Sequence, residues 1–221
     1  MYIYIIYNIM PYYEEPNILF IHIPKTGGTV IENEIKKIYK ETLFSPNKKF
    51  LNNILDKPYN SITPQHQFYT TIYKYKDILN VNFNNIKIFS VVRNPYDKII
   101  SDLFWLKMID KNTTSKNVYS MIKYKYINRD DLGNHNQPQY KFITDENLNL
   151  IPNINIFYCE KLNDTNDELN KFLGFNINIK QENVNKNYSK FLNKKSIVLI
   201  NNIYKKDFKL FNYKMLKLKK Y

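Results

Sequence analysis

The stretch from Asn17 to Thr29 constrains this chain more than any other. Asn17-Ile-Leu-Phe-Ile-His-Ile23 is an apolar run that stops at Pro24. Its length and β-branched content read as a buried strand. Lys25 to Thr29 reads as a loop, after which Val30, Ile31, Ile35 and Ile38 recur at helical spacing. The order is strand, glycine loop, helix.

The same order recurs downstream. Lys87-Ile-Phe-Ser-Val-Val92 is a second buried strand, running into Arg93-Asn-Pro-Tyr96. A helix follows with Ile99, Ile100, Leu103 and Phe104 on one face. Asn155-Ile-Phe-Tyr-Cys159 is a third strand, and the helix after it runs to about residue 172, where Gly174 stops it. Weaker signals suggest a short strand at Ser61-Ile-Thr63 and a helix from Gln67 to about residue 76. Residues 110–150 are polar and irregular, with a helix around 116–127, and a helical pattern spans about 190–208. Strands alternating with helices predict an α/β fold with a mainly parallel sheet. Residues 1–16 read as an extension or edge strand, 17–213 as one domain and 214–221 as a basic tail.

Composition decides which residues to weigh. The 221 residues include 31 lysines, 33 asparagines and 30 isoleucines, but no alanine, four glycines, two arginines and one tryptophan. The abundant residues have A/T-rich codons, and the scarce ones need G or C. The bias therefore belongs to the genome, and the scarce residues carry the information. The net charge of +13 suggests a polyanionic partner, but coding bias inflates lysine. The lysines are scattered, with no arginine-rich run and no zinc-finger spacing, so no specific nucleic-acid site is expected. Cys159 is the only cysteine, which excludes an intrachain disulfide and disfavours a cysteine metal site. It reads as a small buried strand residue. No segment reaches membrane-spanning length, and the apolar N-terminus stops at Pro11 without a basic leader. The chain reads as soluble and intracellular.

Pro24-Lys-Thr-Gly-Gly-Thr29 holds two of the four glycines side by side. Adjacent glycines allow a sharp turn and close approach to a ligand. The helix N-terminus behind them offers free N–H groups and a positive dipole end. Lys25 adds a charge, and Thr26 and Thr29 add hydroxyls. Such a loop can cradle a phosphate. Its lysine precedes the glycines, whereas a Walker A loop places it after the last one. Arg93 ends the second clear strand, so it belongs on the same carboxyl-terminal rim. Ser101 follows eight residues later, and together they could grip a second phosphate. Asn94 and Pro95 would start the intervening helix.

These two loops resemble the sulfotransferases that use 3′-phosphoadenosine 5′-phosphosulfate (PAPS). Ile23-Pro-Lys-Thr-Gly-Gly-Thr29 is similar to that family's 5′-phosphosulfate loop, and Val92-Arg-Asn-Pro-Tyr-Asp-Lys-Ile-Ile-Ser101 to its 3′-phosphate motif. The resemblance is closest to the carbohydrate branch, which includes the heparan sulfate 2-O-sulfotransferases. His135-Asn-Gln-Pro-Gln139, Tyr158-Cys-Glu-Lys-Leu162 and Ile203 to Phe211 resemble further segments of that branch. The likeness implies a three-layer α/β/α fold of the P-loop-kinase-like kind. It also implies that Lys25 and the backbone from Thr26 through Gly27 and Gly28 to Thr29 hold the 5′-phosphosulfate. Arg93 and Ser101 would hold the 3′-phosphate. PAPS would be the donor, 3′-phosphoadenosine 5′-phosphate the product, and no metal is required. The acceptor would be a carbohydrate or other hydroxyl compound, anionic ones included. Members of that branch are commonly Golgi-anchored and disulfide-bonded, and this sequence shows neither feature.

A hydroxyl acceptor is helped by a base with a pKa near neutrality. Of the three histidines, His66 follows the short strand at 61–63 and resembles the branch's catalytic histidine. His22 lies within a strand and reads as a core residue. His135 and, less directly, Gln139 are candidates for contact with substrate, although Gln139 and Glu160 also read as structural. Glu32 is a fallback base on a face that reads as solvated. The sequence also allows two other readings: a P-loop-type kinase using ATP, and a non-catalytic protein that binds polyanions or nucleic acid.

Overall fold

A computed structural model describes residues 11–39, 64–127, 132–180 and 188–217. Among them, four strands form one sheet: β1 (Tyr12–Tyr13), β2 (Ile18–Ile21), β3 (Lys87–Val92) and β4 (Ile154–Tyr158), in that spatial order. β1 runs antiparallel to β2, and β2, β3 and β4 are parallel. The three apolar runs of the sequence are the three parallel strands. The segment at 61–63 and residues 1–10 lie outside the described residues.

Parallel strands buried on both faces need a layer on each side. Ile18, Phe20, Phe89, Val91 and Phe157 face α1 (Gly28–Ile38), through Ile31 and Ile35. Leu169 and Leu173 of a later helix, α5 (Asn166–Leu173), complete that layer. Leu19, Ile21, Ile88 and Val92 face the other way, onto Ile72 of α2 (Tyr69–Lys74) and onto Phe142 and Phe211. The result is the expected α/β/α sandwich. A third cluster joins α3 (Pro95–Trp105), α4 (Ser115–Ile127), α6 (Lys194–Ile203) and α7 (Lys205–Leu210) through Ile99, Ile100, Leu103, Val118, Ile122, Ile200 and Phe208.

Local chemistry sets the element ends. The Asn94 side chain accepts from the Tyr96 N–H, and Pro95 opens α3, as its fixed φ favours. Gly174 ends α5 at φ 87, the left-handed conformation glycine supplies. Three expectations shift. The helix expected from Gln67 begins at Tyr69, after a 3₁₀ turn at Pro64–His66. Ile38, expected on the core face of α1, is exposed. The single C-terminal helix is two, broken at Tyr204, whose ring is buried and whose hydroxyl donates to the Asn136 carbonyl. Pinning that ring turns the chain there.

Candidate active site

The carboxyl ends of β2 and β3 are neighbours in the parallel ladder, so the segments after them share one rim. The contact is direct: Arg93 Nη1 donates to the Lys25 carbonyl at 3.1 Å. Lys25 sits at φ 67 and Gly27 at φ 91. The left-handed conformation costs a non-glycine residue roughly 1–2 kcal/mol. The Arg93 guanidinium helps hold Lys25 there, and strain held by its surroundings is typical of functional loops.

The two glycines do different work. Gly27 supplies the positive φ at the N-cap of α1. Gly28 supplies space: a Cβ there would stand 2.4 Å from the His22 ring. We expect Gly28→Ala to destabilise the fold by about 1–3 kcal/mol through overpacking. Thermal unfolding should show a melting temperature lowered by several degrees. An unchanged melting temperature would mean that the ring moves aside freely.

Among the described residues, no side chain caps α1 and its first turn carries no acidic residue. Its leading N–H groups are left for an anion. α3, one strand away, is capped by Asn94. Thr26 departs from expectation: its hydroxyl donates to the Ile23 carbonyl at 2.8 Å and the residue is enclosed. Only its backbone remains to meet a ligand. Thr29 is exposed at the helix start, and Ser101 is partly exposed on α3.

The three histidines form a file. The His22 and His66 ring centroids are 5.0 Å apart and those of His66 and His135 are 5.1 Å apart, edge to face in both cases. A carboxylate pins each end. His22 Nδ1 lies 2.7 Å from Glu32 Oε1, and His135 Nδ1 lies 2.6 Å from Asp102 Oδ1. Glu32 is buried rather than solvated, and Gln65 Nε2 also donates to it at 2.7 Å. Each oxygen thus has a partner inside the protein, which argues for a positioning role rather than a free base. His22 is buried, as its strand position suggested.

His66 is arranged differently. Its Nδ1 lies 3.2 Å from the Gly133 carbonyl. A carbonyl only accepts, so Nδ1 carries the proton and Nε2 keeps its lone pair. The Asn134 side chain donates to the His66 carbonyl at 2.9 Å and fixes the segment. Burial, then the fields of His22, His135 and Lys98, hold the His66 pKa well below the ordinary histidine value, against the Gly133 hydrogen bond. His66 is therefore neutral at pH 7.

This has a signed consequence for stability. A histidine whose folded pKa is depressed is protonated first in the unfolded chain as pH falls. Its contribution is full above about pH 6.5 and is lost below that. His66→Asn should therefore gain stability relative to the parent as pH drops from 7 to 5. Asp97, raised to about 6 by burial and by Glu160 against the pull of Arg93, acts with the opposite sign but is common to both proteins. Paired thermal melts read the difference, and parallel curves would overturn the neutral assignment.

Asp102 anchors the buried side of the site. Besides His135 it meets Lys125 Nζ at 2.5 Å and accepts from the Tyr126 hydroxyl at 3.1 Å. Burial would raise its pKa, but the His135 hydrogen bond and the His135, Lys125 and Lys98 charges lower it well below the carboxylate range. Lys98, fully buried, donates to the His135 carbonyl at 2.9 Å. Lys98, Asp102 and Lys125 were not singled out in the sequence. The usable signal was Lys98 and Asp102 four residues apart, which places them on one face of α3.

Gln139 lies behind the rim. Its side chain accepts from the Arg93 N–H and donates to the Arg93 carbonyl, both at 2.8 Å. Its backbone N–H donates to Asp207 at 2.8 Å. It is fully buried, so it braces Arg93 and does not face a substrate. Glu160 accepts from the Asn94 N–H at 2.6 Å and from the Tyr213 hydroxyl at 2.9 Å, again a brace. Cys159 is buried in the sheet core. Among the described residues, no helix is long and apolar enough to cross a membrane.

A mostly parallel sheet carrying a strand–glycine loop–helix unit and two cations on one rim defines an α/β protein of the P-loop-like class. A family model described as the sulfotransferase family matches residues 12–214, and the chain belongs to that family. It is a sulfotransferase, an enzyme that moves a sulfuryl group to an acceptor. No curated protein and no solved structure matches the chain.

Proposed function

We propose that this enzyme transfers the sulfuryl group of PAPS to a hydroxyl of a carbohydrate, with His66 as the general base. One observation carries the reading: His66 Nδ1 faces the Gly133 carbonyl, and the His66 ring packs edge-on against His22, at the end of the strand that leads into the Lys25 loop. With its proton on Nδ1, the ring offers Nε2 to a hydroxyl proton.

The chain's own groups suit such a donor. The N–H groups at the start of α1 and the Lys25 ammonium take the phosphosulfate end. The Lys25 pKa lies below that of an ordinary lysine because of burial, offset by Asp102 and reinforced by Arg93, and an anion beside it would raise it again. Arg93, braced by Gln139, and Ser101 take the 3′-phosphate. The donor supplies an activated sulfuryl group. His66 Nε2 receives the acceptor's proton, and fixed positive groups oppose charge on the leaving phosphate, so positioning and electrostatics do most of the work. His135, kept in place by Asp102, borders the acceptor side of His66. The carbohydrate assignment is supported by the likeness of the His66 and 135–139 segments to the carbohydrate branch.

The test is transfer from isotopically labelled PAPS to polysaccharides, small glycans, peptides and simple alcohols, read by mass spectrometry. Calorimetry with 3′,5′-ADP and ATP runs beside it. Label on a glycan and a preference for 3′,5′-ADP support the reading. A preference for ATP, or label only on non-sugar acceptors, overturns it.

A further inference from the structure

Trp105 is the chain's single tryptophan, retained where coding bias disfavours it. It is 58% exposed at the end of α3. An indole offers a large, rigid, amphipathic ring of the kind enriched at binding surfaces. It is also immobilised. Its ring stacks on His135 at 5.0 Å with an interplanar angle of 19°. Lys25 Nζ stands 5.0 Å from its centroid. His135 in turn is tied to Asp102 and lies edge-on to His66. The successive ring spacings put Trp105 within about 10 Å of His66.

The geometry points to Trp105 as the acceptor platform, an aromatic floor on which one pyranose ring of the acceptor lies while its neighbour presents a hydroxyl to His66. This deepens the proposed transfer and rests on it for the role of His66. The C–H face of a pyranose is apolar and matches the part of the indole that His135 and Lys25 Nζ leave exposed, while its hydroxyls point outward to polar groups. Position separates this ring from the donor's base. Trp105 sits against Lys25 Nζ, at the end where the sulfuryl group is transferred, and the adenine lies at the opposite end of the donor. A ring already fixed by stacking loses little freedom when a sugar lands on it.

As the sole tryptophan, Trp105 reports its own occupancy. The full chain, saturated with 3′,5′-ADP, is titrated with cellotetraose, chitotetraose and a desulfated heparan tetrasaccharide while tryptophan emission is followed. Glycerol at matched hydroxyl concentration is the control. We expect a saturable emission change with at least one tetrasaccharide and none with glycerol. By calorimetry, Trp105→Phe should bind that saccharide within a few-fold of the parent, and Trp105→Ala at least about tenfold more weakly. 3′,5′-ADP affinity of both variants should stay within about threefold. No saturable change with any saccharide overturns the platform. So does a 3′,5′-ADP titration that alone saturates the emission change and blocks the saccharide's, which would give the ring to the donor. Loss of 3′,5′-ADP affinity in Trp105→Ala with unchanged saccharide binding would make the indole a support for Lys25, and also overturns it. Failure of the parent to bind 3′,5′-ADP counts against the donor reading alone, since the saccharide arm is read separately.

Discussion

Replacing His66 with asparagine is expected to lower kcat by about 10²- to 10⁴-fold at pH 7, the usual worth of a positioned general base. Asparagine is the informative choice. Its amide nitrogen can occupy the place of Nδ1 and keep the donation to the Gly133 carbonyl that His66 makes at 3.2 Å. What it lacks is a basic atom at the Nε2 position. The segment's second tie, from Asn134 to the residue 66 carbonyl, does not involve the side chain and survives. Donor affinity, read by calorimetry with 3′,5′-ADP, should therefore change by less than about threefold, placing the loss in the chemical step. The parent's kcat should hold level from pH 8 to below 6.5, because the depressed pKa keeps Nε2 unprotonated throughout. An asparagine variant with parental kcat would move the base elsewhere. Glu32 is a poor substitute, since it is buried and already bound to His22 and Gln65.

The sequence marked the frame of this site better than its interior. β3 coincides residue for residue with the run at 87–92, because a strand buried on both faces is nearly continuously apolar; its one buried polar side chain, Ser90, donates to the Ile21 carbonyl. The start of α3 at Asn94 and Pro95 and the stop at Gly174 were legible because capping and positive φ are local chemistry. The histidine file was not legible as a file. His22, His66 and His135 come from three separate segments, and only tertiary packing, of His66 on His22 and of Gly133 and His135 on His66, brings them together. Lys98 and Lys125 were hidden by the lysine-rich background, in which a buried cation looks like any solvated one. Gln139 stood in a segment that suggested substrate contact, and its real partner, the backbone of Arg93, lies 46 residues away. Tyr204 shows the same limit: apolar spacing runs smoothly through it, and only its buried ring explains the break between α6 and α7.

Arg93→Ala should weaken 3′,5′-ADP binding by about 10- to 150-fold, the equivalent of a lost charge-assisted hydrogen bond of roughly 1.5–3 kcal/mol. The sharper measurement is a comparison of ligands. ADP lacks the 3′-phosphate, so Arg93 should matter little for it. The parent's preference for 3′,5′-ADP over ADP should therefore collapse in the variant, while ADP affinity moves by only a few-fold. A complication follows from the geometry, because Arg93 also donates to the Lys25 carbonyl. Removing it would release the strained loop as well as the proposed phosphate contact. Loop release weakens both ligands equally, whereas a lost phosphate contact weakens only one, so the ratio of affinities separates the two effects. Arg93→Lys sharpens the distinction further. It keeps the charge but loses the planar fork, so it should recover part of the 3′-phosphate preference, less than the parent shows. If Arg93→Ala lowers the affinities for 3′,5′-ADP and ADP by the same factor, Arg93 is a brace for Lys25 and the 3′-phosphate is held elsewhere on the rim.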